Sequence, residues 1–277
     1  MTLSLLCAIG SALAYGASTL MQAVATRRTQ GLAAVLTPLV IGAFVVDGLG
    51  FVLSLLALDN LPLFVVQSIM ASMLVVVVVG ARFLLHARMR RLDVAAVGVV
   101  IAALVLIGLG SGEQPAVAPP ESFERAMLVA TGVLVVVALA SYRSGPGWLL
   151  AAIAGLGFSG AAIAARASHH HDGIWETVWQ PMTICIVVGG IVGALWYLRA
   201  LERLAVGPSA AILSVIEVVV PGAVGVLVLG DTVANGMLPG VLVGLVLAIT
   251  GCVVLAMSPA NEVAEGEPAP RTEPAPA

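Results

Sequence analysis

The sequence predicts an all-α membrane protein of about nine transmembrane helices arranged as two inverted-topology repeats. Three observations lead there. Hydrophobic residues make up 60% of the 277 residues and charged residues 10%, a composition that no soluble core could bury. The apolar stretches approach the about 20 residues that a helix needs to cross a bilayer. A single constant shift lays Ala57-Leu58-Asp59-Asn60-Leu61 on Ala200-Leu201-Glu202-Arg203-Leu204 without gaps, and still places Gly108 on Gly251.

The elements follow in order. The first apolar run, Leu3 to Ala25, is closed by Thr26-Arg27-Arg28. Ala12-Leu13-Ala14 within it resembles a signal-peptidase site, but no basic segment precedes it and the apolar run continues, so the helix is expected to be retained. Leu36 to Leu58 ends at Asp59-Asn60, Pro62 to Leu85 ends before Arg88-Met89-Arg90-Arg91, and Val94 to Gly110 completes the first repeat, about 3–110. After a polar loop from Ser111 to Arg125 comes a connector helix, about 126–142, broken by Arg143-Ser144-Gly145-Pro146-Gly147. The second repeat, about 148–257, contains Trp148 to Ala167, Val178 to Leu198, Pro208 to Leu229 and Leu238 to Met257, making one transporter domain over 1–257. The Pro-, Glu- and Ala-rich segment 258–277 reads as a disordered cytoplasmic tail.

All basic residues are Arg, and with nine crossings they gather mostly on one side, leaving Arg125 and Arg166 opposite. The positive-inside rule then sets the N-terminus outside and the C-terminus in the cytoplasm, in an integral plasma membrane protein. Helices one to four match helices six to nine. A displacement by five helices reverses direction across the membrane, which makes the halves inverted repeats. Such repeats recur in secondary transporters with a site at their interface near the midplane.

Two stretches carry a family resemblance. In the first half it is Gly50-Phe51-Val52-Leu53-Ser54-Leu55-Leu56-Ala57-Leu58-Asp59-Asn60-Leu61-Pro62 with Val65-Val66-Gln67-Ser68-Ile69. In the second it is Leu213-Ser214-Val215-Ile216-Glu217 with Leu227-Val228-Leu229-Gly230-Asp231. They resemble the EamA-like repeats of the drug/metabolite transporter (DMT) superfamily, and the compact first half with its acid in helix two resembles the NIPA-type magnesium transporter branch. The resemblance implies transport of a small solute or ion. Leu85-His86-Ala87-Arg88 departs from it by standing where a Leu-Gly-Glu turn is expected.

Asp47 and Glu217 fall near the centres of helices two and eight, in different repeats. A carboxylate at that depth is costly against lipid and should face the bundle interior, protonated, paired or bound to a cation. Pro221 removes the amide that would have bonded the Glu217 backbone carbonyl and predicts a helix kink there. A carboxylate and a freed carbonyl on one turn suit a cation or a substrate ammonium group. Gln22, Gln67 and Tyr15 add hydrogen-bonding groups to the candidate substrate or ion site. Gly236, Gly240 and Gly244 make a smooth face for close contact, within the chain or between two copies in a homodimer.

No catalytic constellation, metal-ligand set or cofactor motif stands out. The run His169-His170-His171-Asp172 reads as a solvated loop, since adjacent residues rarely converge on one ion, and Cys7, Cys185 and Cys252 read as small buried hydrophobes. Net charge of −3 without a basic patch argues against nucleic acid. The expected function is secondary transport of small polar solutes or metabolites by alternating access, in which the acids exchange a proton or bind a cationic group. The alternatives are a Mg²⁺ transporter of NIPA type and a non-transporting membrane subunit; an enzyme is not expected.

Overall fold

A computed structural model describes residues 2–28, 38–111, 114, 119–168 and 180–264. Among the described residues there are nine helices long and apolar enough to cross a membrane, and no strand. They are α1 (Thr2–Arg28), α2 (Pro38–Asn60), α3 (Leu63–Leu84, interrupted at Ser72), α4 (Arg91–Leu109), α5 (Glu121–Ser141), α6 (Gly147–Ser168), α7 (Pro181–Leu201), α8 (Val206–Leu227) and α9 (Leu238–Ala256). A short α10 (Pro259–Ala264) follows. Many large apolar side chains remain on the outer surface, Leu3, Val45, Val136 and Val246 among them. Water would not tolerate such a face, and a hydrocarbon environment does. The chain is an integral membrane protein.

Helix limits differ from the sequence expectation where polar residues start a helix. α4 begins at Arg91 instead of Val94 because Asp93 accepts the Arg90 amide at 2.7 Å, which places the polar turn inside the helix. α5 begins at Glu121 instead of Ala126, with Pro120 as its cap. The expectation of a disordered tail from Ser258 is corrected over Pro259–Ala264. That segment is helical, with Ala260, Asn261, Val263 and Ala264 buried. Its alanines and valine pack against the second half of α3 and touch α1, α8 and α9. Burial of apolar residues there supplied what composition alone did not suggest. Residues 265–277 and the His169-His170-His171 run lie outside the described residues.

The packing follows the same plan in both halves. α1 packs on α2 and α3, and α6 packs on α7 and α8, while the third helices α3 and α8 meet and the fourth helices α4 and α9 pair closely. Gly244 and Gly251 face α4 at Ala103, Ile107 and Val100, so the glycine face on α9 is used within the chain; Gly236 instead forms a turn with φ +78. α6 and α7 approach most closely at Gly157 and Gly189, where a Cβ on Gly157 would stand 2.7 Å from the Gly189 carbonyl.

The ends of α3 and α8 show the shared plan at the level of the backbone. His86 after α3 has φ 55 and Gly230 after α8 has φ +74. Each is followed by an amide that bonds a carbonyl six residues earlier, Ala87 to Ala81 at 3.1 Å and Asp231 to Gly225 at 2.9 Å. This is the left-handed helix stop that glycine favours. The first half makes the same turn although His86 occupies the glycine position.

Candidate functional site

Along α2, Ala43, Asp47, Gly50 and Ser54 fall on one helical stripe turned toward α1. Ser18 donates to the Ala43 carbonyl at 3.0 Å and Ser11 to the Gly50 carbonyl at 2.8 Å, which fixes α1 against α2 along this stripe. Gln22 then reaches Asp47. Its amide nitrogen carries two hydrogens, one directed to Ser18 Oγ at 3.0 Å and one to Asp47 Oδ2 at 3.2 Å. Asp47 is half-buried and also lies beside the Ser18 side chain.

Tyr15, two turns before Gln22, lies beside Ser54 and within Coulombic range of both Asp47 and Glu217. Glu217 projects from the middle of α8 on the face that includes Ser214 and Pro221. It is half-buried, with part of its surface accessible. Its carboxyl group has no hydrogen bond or ion pair among the described residues. α8 runs through Pro221 as one helix.

The structure thus brings Tyr15, Gln22 and Asp47 together and leaves Glu217 across the interior. Neither α1 nor α2 makes a substantial packing contact with α8, and Tyr15 lies within electrostatic reach of both acids. Gln67 is buried, at 6% exposure, near the start of α3, without a hydrogen bond to the other candidates. Ser18 and Ser54 belong to the cluster and were missed. Their spacing of four before Gln22 and seven after Asp47 was the available signal.

A second constellation, not expected from the sequence, closes one end of the bundle. Arg166, at the end of α6 and 3% exposed, forms a salt bridge with Asp231 at 3.0 Å. Its other donors reach the carbonyls of Leu58 at 2.5 Å, Asp59 at 3.3 Å and Gln114 at 2.9 Å. Asp231 in turn accepts the Leu63 amide at 2.6 Å. A guanidinium therefore caps the carbonyl end of α2 and a carboxylate caps the amide end of α3, each matched to the helix dipole it meets. Gln114 completes the closure by exchanging hydrogen bonds with Thr232, at 2.5 and 2.8 Å. The bonds from Arg166 to Leu58 and Asp59 and from the Leu63 amide to Asp231 join the first half to the second, while the Arg166–Asp231 ion pair lies within the second half.

At the opposite end, Asp93 is fully buried and accepts from the Arg90 side chain and from Ser258 Oγ at 2.9 Å, tying α4 to the start of α10.

The fold and these residues define an α-helical integral membrane protein with an acid-bearing interior. No family model, curated protein or solved structure matches the chain.

Proposed function

We propose that the chain is a secondary transporter of small polar or cationic solutes working by alternating access of its two halves. The observation that carries the reading is Glu217, a half-buried carboxyl without a partner among the described residues, within electrostatic reach of Tyr15, which also lies near the Gln22-bonded Asp47. A carboxyl at that depth stabilises a cation or takes up a proton, and a purely structural acid would be expected to hold a hydrogen bond. The bonds from Arg166 to the Leu58 and Asp59 carbonyls and from the Leu63 amide to Asp231 are the contacts an outward-opening movement would break. On this reading the N-terminus lies outside, α1–α4 and α6–α9 are the inverted halves, and the DMT superfamily, with its EamA-like repeats, is the architecture it resembles.

A Mg²⁺ carrier is the second reading, favoured by the donor set itself. Asp47, Glu217, Tyr15 and Ser54 all offer oxygen, the ligand Mg²⁺ prefers. A packed, non-transporting subunit fits less well with an accessible Glu217.

Proteoliposomes containing the purified protein test the proposal, with electrogenic currents recorded on solid-supported membranes against amino acids, organic cations and Mg²⁺. A substrate-dependent current that Glu217→Gln removes, with the variant still folded, supports it. Full current in that variant overturns the site. A current given by Mg²⁺ alone selects the second reading.

A further inference from the structure

We propose that the hollow between the ends of α5 and α7 holds the headgroup of an anionic phospholipid. The cavity, of about 520 Å³, is lined by Leu139, Tyr142, Arg143, Trp196, Arg199 and Glu202, with Leu195 and Leu198 along its side. It lies at the same end of the bundle as the start of α6, where the apolar helices give way to arginines.

The wall is rigid. Trp196 is buried and donates its indole N–H to the Ala138 carbonyl at 3.1 Å. The Tyr142 ring meets Trp196 edge-on, with centroids 5.4 Å apart, and the Arg199 guanidinium stacks over Tyr142 at 5.1 Å. Arg199 also donates Nε–H to the Tyr142 carbonyl at 3.3 Å and pairs with Glu202. Arg203 is held on the carbonyls of Arg143 and Gly145 at 2.6 and 2.5 Å. Nothing comparable restrains Arg143, which is exposed and whose guanidinium has no partner among the described residues.

Charge and shape together select the occupant. Arg143 and Arg199 outweigh Glu202, so the polar rim is positive. Below the rim, Leu139, Leu195 and Leu198 are 64%, 50% and 61% exposed and form an apolar track along the bundle surface. A soluble anion would use the rim and leave the track, whereas a phospholipid uses both, with its phosphate on Arg143 and its acyl chains along the leucines. The interfacial pairing of Tyr and Trp with Arg suits the headgroup level, and basic pockets between transmembrane helices bind anionic headgroups.

The test uses the full-length protein, extracted and delipidated. Native mass spectrometry and thermal unfolding are followed with phosphatidylglycerol, phosphatidylcholine or inorganic phosphate added. Phosphatidylglycerol should be retained and should raise the unfolding temperature, phosphatidylcholine should bind distinctly less, and phosphate should do neither. Arg143→Gln should weaken phosphatidylglycerol retention roughly 5-fold, the effect of one basic side chain at a membrane surface, and Arg143→Lys should restore most of it. Arg125→Gln, an exposed arginine on the opposite face, is the control and should change nothing. Equal retention of the two lipids, equal stabilisation by phosphate, or unchanged retention in Arg143→Gln would each overturn the assignment.

Discussion

The guanidinium of Arg166 and the carboxylate of Asp231 lie 3.0 Å apart, and each also completes a helix end in the opposite half of the chain. Arg166 stands on the last carbonyls of α2 and Asp231 on the first amide of α3, so one ion pair holds the loop between Asn60 and Leu63 from both sides. Removing either partner leaves the other buried and uncompensated. Arg166→Met or Asp231→Asn alone should each destabilise the protein by about 3 to 5 kcal/mol. The double variant should cost clearly less than the sum, as read from thermal unfolding in detergent. Simple additivity would show that the two side chains act independently.

The left-handed turns after α3 and α8 give an opposite-signed pair of variants. His86 pays about 1 kcal/mol for φ 55, a conformation that glycine adopts freely. His86→Gly should therefore be neutral or raise stability, although added freedom in the unfolded chain offsets part of the gain. Gly230→Ala should lower stability by about 1 kcal/mol. Equal effects of the two in the same direction would contradict the turn geometry.

The crossings and their approximate limits were legible because a hydrocarbon solvent demands long, uninterrupted apolar helices, and every expected span has its helix. The departure at Leu85-His86-Ala87 looked like a missing turn, yet the backbone makes the turn regardless, since the αL strain on one residue is small beside the packing of α3. Asp47 and Glu217 were legible as acids in mid-helix. Their separation was not, because sequence places a residue along a helix but not around a bundle. Arg166 and Asp231 were read only as a topological charge and a turn motif. Their pairing joins elements far apart in the chain and leaves no local pattern. The buried α10 was hidden by its tail-like composition, as six residues are too few to carry a clear periodicity.

Contact between α6 and α7 depends on the absence of side chains at Gly157 and Gly189. Gly157→Ala should separate these helices and cost about 1 to 3 kcal/mol. Gly160→Ala, on the same helix but with nothing within 4 Å of its Cβ position, should be tolerated or gain about 0.5 to 1 kcal/mol from helix propensity. Matched unfolding curves for the pair check both expectations; a large loss at Gly160 would show that α6 faces a neighbour there.

The three cysteines report on the whole bundle. Cys7, Cys185 and Cys252 are all buried, at 8%, 0% and 1% exposure. A maleimide should label none of them in the folded protein and all of them after denaturation in SDS, as followed by mass shift. Rapid labelling of Cys252 in the native state would mean that α9 does not rest on the carbonyl of Ala71, 3.5 Å from its sulfur.

The connector α5 is the least enclosed of the crossings, with about 11% of its residues buried. Its main attachment is to α6 and α7 of the second half. On the proposed inverted-repeat reading, what it contributes above all is parity: an even tally of passages would return the chain facing the way it began, and one extra passage turns the later half upside down. Ahead of its Ala138–Arg143 end, which walls the hollow beside Trp196, a segment with that task is constrained in length and greasiness far more than in detail. Exchange for an unrelated apolar helix, or severing the chain just ahead of it and coexpressing the fragments, should leave the two four-helix units able to recognise each other.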